Sequence, residues 1–260
     1  MIQSVNANEE IRRVEQFIKE DPYRCPYFYT NLKKYGVMDG KTRLYVRLAD
    51  DNRIQLAALL YYDCLHVYYK DPAQFDDELL QLIEELDPHT IFFPSYSDAG
   101  IRKLDGYEGE EVLIMAPQSF SDIDISMVKD AAMDDIPKIA QFMYTHWNDI
   151  YDSPDSICKQ VQERMADGYG RTKYIESDGE VVACVSSFAE LDDFAVNGGL
   201  LVSGTQRGKK LGSVMLKSIY QELENEGKRT CGIIVTDYSR IFHEKNGFAV
   251  VATVVKYVKQ

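Results

Sequence analysis

Apolar residues recur at every fourth position from residue 211 to residue 223, a period that predicts an amphipathic helix. Gly227 marks the expected end of this helix, because glycine readily adopts the left-handed conformation of a helix C-terminus. The apolar run at residues 200–202 comes before the helix and predicts the end of a buried strand. The turn between strand and helix contains glycine and three basic residues, Arg207, Lys209 and Lys210.

The same patterning continues through residues 124–260 and predicts a mixed α/β domain. Asp134 is a good N-cap for a helix with an apolar stripe at residues 136–143, and Ser177-Asp178-Gly179 marks a tight turn between strands. The predicted order is a strand at 126–132, helices at 134–143 and 156–165, strands at 172–176, 181–189 and 194–202, the helix already described, a strand at 231–235, a short helix from 238 to 247, and a strand at 250–258.

Residues 1–118 show a comparable order and predict a first domain, with residues 116–122 as the boundary. Leu104-Asp105-Gly106-Tyr107 matches Lys245-Asn246-Gly247-Phe248, and Tyr96-Ser97 matches Tyr238-Ser239. These matches favour a degenerate internal copy of one fold, and chance similarity of short runs is the competing interpretation. Helices are expected at 9–19 and 74–86, and strands at 43–48, 54–62, 65–69, 90–93 and 112–115.

The strand, glycine turn and helix N-terminus around Arg207 place several backbone N–H groups near one point. The helix dipole and the basic side chains add positive charge there. This segment therefore predicts a phosphate or pyrophosphate site. Its spacing matches neither the Walker loop nor the dinucleotide-binding pattern G-x-G-x-x-G.

Arg207-Gly208-Lys209-Lys210-Leu211-Gly212 resembles the pyrophosphate loop of the GNAT (GCN5-related N-acetyltransferase) family, Q/R-x-x-G-x-G/A after a strand that ends in Val. Lys210 stands where the family usually has its first glycine, and a lysine in a helical first-turn conformation would preserve the loop. Gly247 and Phe248 match the end of the family's closing segment. The element order of residues 124–260 is also that of a complete GNAT domain. The resemblance implies a mixed α/β GNAT fold, with two tandem copies if residues 1–118 are a repeat.

The resemblance also implies that acetyl-CoA is the co-substrate. In the family, backbone N–H groups of the strand before the loop bind the pantetheine arm and polarise the thioester. The loop and the following helix hold the pyrophosphate, and Thr236 takes the place of an Asn that follows the fifth strand. The residues expected to bind CoA are Leu200, Leu201, Val202, Arg207, Gly208, Lys209, Lys210, Leu211, Gly212, Ser213 and Thr236.

Two proton-transfer roles follow from the same resemblance. His243 occupies the place of the family's Tyr that protonates the departing thiolate; the alternative interpretation is a histidine on a helix surface. Tyr238 is the alternative donor. Glu190 is the leading candidate for a base, with Asp192 and Asp193 beside it in a predicted loop near the acceptor, although acidic loop residues are usually only solvated.

Residues 144–151 contain two tyrosines, Tyr144 and Tyr151, together with His146 and Trp147. The corresponding loop of the GNAT family lines the acceptor site. They form either an aromatic wall that selects the acceptor or a core anchor around Trp147.

The first half of the chain lacks a phosphate loop like the one at residues 207–212. Carboxylates at residues 76–78 crowd the start of the corresponding helix, and no glycine is present there. We expect that half to bind no CoA.

The amino-acid composition of the chain disfavours several classes of function, among them nucleic-acid binding, membrane spanning and metal binding. The net charge of −13 disfavours a nucleic-acid partner, and no apolar stretch is long enough to span a membrane. Five cysteines without C-x-x-C spacing and four unclustered histidines predict reduced thiols, a cytoplasmic location and no metal. Nothing in the sequence specifies the number of subunits.

The sequence therefore predicts an N-acetyltransferase that moves an acetyl group from acetyl-CoA directly to the primary amine of a small molecule. Two alternatives remain open at this stage. One is a CoA-binding or sensing module that has lost catalysis, and the other is an acetyltransferase acting on protein N-termini or lysines.

Overall fold

The computed structural model describes residues 1–37, 42–96, 101–147 and 151–260, with residue 147 described by its backbone alone. The chain divides into two compact units. The first contains Met1–Ile114, Ile234–Asp237 and Val250–Gln260, and the second contains Met115–Ile233 and Tyr238–Ala249. Within these described ranges, no helix is long and apolar enough to cross a membrane.

In its described residues, the first unit is a mixed sheet with three α-helices. Its elements are β1 (Ile2–Val5), α1 (Asn8–Lys19), α2 (Pro26–Tyr35), β2 (Thr42–Leu48), β3 (Ile54–Tyr61), β4 (Cys64–Tyr69), α3 (Asp77–Leu86), β5 (Thr90–Ser95) and β6 (Tyr107–Pro117). Strands β1 to β4 are successive antiparallel neighbours, and β5 runs parallel to β4 after the α3 crossover. The apolar face of α3 packs on the side chains of β3, β4 and β5, which form the core of this unit.

The second unit repeats this plan. Its elements are β7 (Lys129–Asp130), α4 (Ile136–Trp147), α5 (Pro154–Ala166), β8 (Thr172–Ser177), β9 (Glu180–Glu190), β10 (Phe194–Val202), α6 (Leu211–Asn225), β11 (Arg229–Ile234) and α7 (Asp237–Lys245). The last strand, β12 (Phe248–Lys259), begins in this unit and continues from Val250 in the first. Strands β7 to β10 are antiparallel neighbours, and β11 runs parallel to β10. Tyr174 packs against α4 and α5, whereas Lys173 beside it forms an ion pair with Glu222 of α6. Because adjacent strand residues point to opposite faces, helices cover both faces of this sheet.

The last strand, β12, pairs antiparallel with β5, from Thr253 opposite Ser95 to Val258 opposite Thr90. Val255 and Tyr257 of β12 accordingly lie in the core of the first unit. The domains predicted at 1–118 and 124–260 group this strand with the second half, whereas the contacts of the structure place residues 250–260 in the first unit.

The two halves share one element order, three antiparallel strands followed by a helix and a parallel strand. The order is β2-β3-β4-α3-β5 in one half and β8-β9-β10-α6-β11 in the other. Gly106 and Gly247 stand immediately before the closing strands β6 and β12, with φ of +81° and +83°. The repeated order favours an internal copy over chance similarity. The Ser97 part of the predicted repeat lies outside the described residues.

Candidate active site

The candidate site begins where two parallel strands separate. The ladder between β10 and β11 runs from Phe194 opposite Arg229 to Asn197 opposite Gly232, and β10 then continues alongside β9 as far as Val202. Residues 200–202 line a cavity at this point. A strand that loses one neighbour can present its backbone N–H and C=O groups to an extended ligand.

The loop after β10 contains two residues with positive φ, Gly208 at +82° and Lys210 at +61°. Lys210 is the N-cap of α6 and adopts the left-handed conformation, so the helical first-turn conformation expected from the sequence was wrong. This geometry gives a physical reason for a glycine at the same place in the family pattern. A side chain in the left-handed region costs about 1–2 kcal/mol, a cost that glycine does not incur.

Gly212, in the first turn of α6, lets an aromatic ring approach the helix. A Cβ atom added to Gly212 would lie 2.9 Å from Cζ of Phe242 and 3.8 Å from Cγ2 of Val202. Phe242 belongs to α7, so the glycine permits α6 and α7 to meet across the end of β10. The requirement for glycine here comes from packing inside the protein.

These elements enclose a cavity of about 430 Å³, a size typical of small-ligand sites. Eleven of the predicted site residues line it: Leu200, Leu201, Val202, Arg207, Gly208, Lys210, Leu211, Gly212, Ser213, Tyr238 and His243. Four further residues line it: His146, which belongs to the predicted aromatic segment at 144–151, and Gln206, Ser239 and Phe242, which the sequence did not assign to the site.

The site combines an apolar wall with positive charge. Leucine, valine and phenylalanine side chains supply the wall, and Arg207 and Lys210 supply two cations beside the N-terminus of α6. Free N–H groups and the dipole of that helix favour an anion at the same end. The cavity therefore suits a ligand with a phosphate group and a less polar arm. Across the described residues, no cluster of three potential metal ligands is present.

Three predicted site residues lie elsewhere. Lys209 is exposed, and its Nζ donates to Oε1 of Gln206 at 2.7 Å rather than lining the cavity. Thr236 is exposed just beyond β11 and does not line the cavity. Glu190 also lies away from the cavity.

Glu190 is buried at the end of β9 instead of lying in an acceptor loop, with its side chain 5% exposed. Arg171 holds it with two hydrogen bonds of 2.8 and 2.9 Å, Lys228 donates to it at 3.0 Å, and the Ser187 hydroxyl also donates to it. Burial alone would raise the pKa of Glu190, but these donors outweigh burial and lower it. Its oxygens are therefore committed to an ion network. Asp192 and Asp193 do not line the cavity either.

His243 lies on α7 and is only 7% exposed, which contradicts the interpretation as a surface histidine. Its Nδ1 lies 2.7 Å from the carbonyl oxygen of Ser239, and its ring meets Phe242 and Phe248 edge to face. A carbonyl oxygen only accepts hydrogen bonds, so Nδ1 carries the proton and Nε2 has the lone pair. Burial lowers the pKa of His243, and the imidazole is therefore neutral near pH 7.

Two further aromatic features of the predicted site are Tyr238 and the segment at 144–151, which begins in the last turn of α4. Tyr238 lines the cavity but is 79% exposed, which places it at the rim. His146 near the end of α4 lines the cavity as well. The side chain of Trp147 and residues 148–150 lie outside the described part of the chain, so the wall and anchor interpretations both remain predictions.

The corresponding opening in the first unit is closed. The parallel ladder between β4 and β5 also ends early, at His66 opposite Phe92, but the space beyond it measures about 20 Å³. The Tyr96 hydroxyl donates to the Tyr69 carbonyl there, and Arg102 donates to the Phe75 carbonyl at 2.7 Å. This space is no larger than about one water molecule requires.

The N-terminus of α3 is likewise occupied by the protein's own carboxylate. Asp76 caps the helix by accepting from the Leu79 N–H at 3.1 Å and pairs with Arg47 at 2.7 Å. An incoming phosphate would meet this negative charge at the helix start.

Residues 137–248 match the family model described as Acetyltransferase (GNAT) family. This segment contains the loop, the helices and the strands that form the cavity. Residues 137–248 are a GNAT domain. A search of curated proteins found no match.

Solved structures resemble the chain over nearly its whole length. A GNAT-family acetyltransferase from Colwellia psychrerythraea has 12% identity and a TM-score of 0.61, covering 100% of both chains. A GCN5-related N-acetyltransferase from Sphaerobacter thermophilus has 14% identity and a TM-score of 0.64, covering 100% of this chain and 95% of its own. A tandem GNAT protein from the clavulanic acid biosynthesis pathway has 11% identity and a TM-score of 0.58, covering 99% and 97%. At such identities the likeness establishes the mixed α/β GNAT fold for both halves and leaves the substrates open.

Proposed function

We propose that the protein is an N-acetyltransferase that moves the acetyl group of acetyl-CoA to the primary amine of a small molecule. The observation that carries the proposal is the placement of a neutral, anchored histidine in the cavity that also contains the phosphate loop. His243 supplies a proton acceptor, and Arg207, Lys210 and the N-terminus of α6 supply an anion site. Family membership of residues 137–248 supports acetyl transfer as the reaction class.

Under this proposal, the pyrophosphate of acetyl-CoA lies against the loop, and its pantetheine arm follows β10 at residues 200–202. Backbone N–H groups at that point of the strand bind the arm and polarise the thioester carbonyl. The phosphate loop supplies charge and N–H donors, which position the thioester for attack.

The neutral state of His243 alters the role expected from the sequence. Its Nε2 has no proton to donate until it first accepts one. We therefore propose a shuttle in which His243 accepts a proton from the attacking nitrogen and passes it to the departing thiolate. Tyr238 at the exposed rim is assigned to contacts with the acceptor instead.

Calorimetric titration with acetyl-CoA tests the cofactor site. Arg207→Glu reverses a charge on the cavity wall, and Lys209→Glu makes the same change two residues away on a side chain outside the cavity. At about 150 mM salt, we expect Arg207→Glu to weaken binding about tenfold or more and Lys209→Glu to weaken it less than about threefold. Equal losses in the two variants would place the anion elsewhere.

A thiol-release assay with acetyl-CoA and a panel of amines tests the reaction on the same wild-type protein. Release of free CoA that depends on a small amine supports the proposal. Release that depends only on peptides with a free N-terminus or lysine would make the acceptor a protein. Tight acetyl-CoA binding without release for any acceptor would favour a sensing module.

A further inference from the structure

A second histidine lines the cavity, and it is held in the same way as His243. Nδ1 of His146 lies 3.0 Å from the carbonyl oxygen of Phe142, four residues earlier on α4, and 2.9 Å from Oγ1 of Thr145. The Thr145 hydroxyl is itself placed to donate to the Phe142 carbonyl at 2.7 Å. This pattern assigns the proton to Nδ1 and the lone pair to Nε2 of His146.

His146 and His243 therefore share one arrangement on two different helices. Each anchors Nδ1 on the carbonyl four residues before it, Phe142 on α4 and Ser239 on α7. The anchor fixes the tautomer and leaves Nε2 as a proton acceptor. The charged side chains that line the same cavity are Arg207 and Lys210, and the remaining titratable one is Tyr238. Both charges are positive and disfavour a further cation beside them.

Two proton acceptors in one cavity match the number of protons that acetyl transfer removes from an ammonium ion. A primary amine enters as an ammonium ion near neutral pH, and the amide product retains only one of its three N–H protons. Two protons must leave the nitrogen, and one neutral imidazole accepts only one of them at a time. Building on the proposed function, we propose that His146 is the base that deprotonates the incoming ammonium and that His243 takes the second proton.

Two proton transfers from nitrogen accompany the replacement of the thioester bond by an amide bond. Nε2 of His146 takes one proton from the ammonium, and the neutral nitrogen forms a bond to the carbonyl carbon of the thioester. Nε2 of His243 takes the second proton as the carbon–sulfur bond breaks and its electron pair leaves with sulfur. His243 then delivers its proton to the thiolate, and His146 releases its proton to solvent. The products are the amide, CoA and one proton.

His146→Asn tests this assignment, because the asparagine amide can still donate to the Phe142 carbonyl but cannot accept a proton near neutral pH. With ethylamine as acceptor at pH 7.5, we expect kcat to fall about 10²-fold or more while the KM for acetyl-CoA changes less than about threefold. Without a base in the site, the variant can use only ethylamine that is already neutral in solution. Its rate should therefore rise about tenfold per pH unit above pH 7.5, up to the pKa of the ethylammonium ion. His89→Gln, which removes an exposed histidine of the first unit, is the matched control with unchanged kinetics.

A second acceptor, trifluoroethylamine, shows whether His146 acts as a base or has only a structural role. Its ammonium is far more acidic than that of ethylamine, so the amine is already neutral at pH 7.5 and needs no base. We expect the loss in His146→Asn to shrink to about threefold or less with this acceptor. An equal loss with both amines, or none with ethylamine, would overturn the assignment to His146.

An NMR measurement gives an answer independent of turnover. Imidazole nitrogen spectra of the wild-type protein at pH 7.5 should show His146 and His243 as neutral rings protonated on Nδ1. A cationic His146, or one protonated on Nε2, overturns the assignment even if acetyl transfer is observed. Absence of transfer to any amine, with both tautomers as expected, would instead overturn the proposed function.

Discussion

The ring of Phe242 packs directly over Gly212, so that a Cβ atom at residue 212 would stand 2.9 Å from Cζ and 3.3 Å from Cε2 of the ring. Phe242 lines the cavity on α7 and Gly212 lines it on α6. This one contact therefore links the first turn of α6 to the helix that contains His243.

Gly212→Ala should force the ring of Phe242 to move and lower the free energy of unfolding by about 1–3 kcal/mol. Phe242→Leu shortens the side chain and makes room for the methyl group. In a double-mutant cycle followed by urea denaturation, we expect a coupling of about 1 kcal/mol or more between the two positions. Strictly additive losses would show that the two side chains do not compete for space.

Glu190→Gln should reduce stability and leave the chemistry intact. The substitution removes a buried charge from Arg171 and Lys228, and we expect a loss of about 2–3 kcal/mol in the free energy of unfolding. This value lies below that of a fully buried pair because Arg171 is 26% exposed and retains Glu222 and Glu226. Glu190 was a candidate base in the sequence, so a fall in kcat of about 10²-fold for the folded variant would restore that role.

His66 should make the stability of the first unit depend on pH. It is 5% exposed on β4, with its ring stacked on Phe92 at 5.4 Å, and burial lowers its pKa to about 4. Because the unfolded chain binds the proton at higher pH, this contribution is complete above about pH 6.5 and is lost as the pH falls toward 4.

Between pH 7.5 and 5.5 the expected loss from His66 is about 1.3 kcal/mol. His66→Leu should remove this component, and denaturant unfolding of both proteins at the two pH values measures it. Both values lie above the sequence pI of about 4.8, so the protein stays anionic. An unchanged pH dependence in the variant would mean that His66 binds its proton equally well in the folded and the unfolded protein.

Local patterns in the sequence predicted most of the helices and strands. In α6 and in the strands β8 to β10, apolar residues recur at the spacing typical of a helix or a strand. Helix α2 was missed, since the aromatic and β-branched residues at 27–30 have weak helix propensity and six of the residues 26–32 are buried. The N-terminal strand β1 also has too short a pattern to be detected.

Features that depend on distant partners could not be predicted in this way. The place of β12 beside β5 depends on pairing across more than half of the chain. Glu190 is buried because Arg171, just before β8, and Lys228, just before β11, donate to it together with Ser187 of its own strand. The left-handed conformation of Lys210 comes from a loop whose glycine pattern is altered at that residue.

The most direct test of the account is a comparison of kcat in His243→Asn and wild-type protein at pH 7.5, with acetyl-CoA binding measured calorimetrically on the same samples. Asparagine can still donate to the Ser239 carbonyl but cannot carry a proton between nitrogen and sulfur. We expect a fall in kcat of about 10²–10⁴-fold with acetyl-CoA affinity unchanged within about threefold. A variant that retains the wild-type kcat would contradict the proton shuttle through His243.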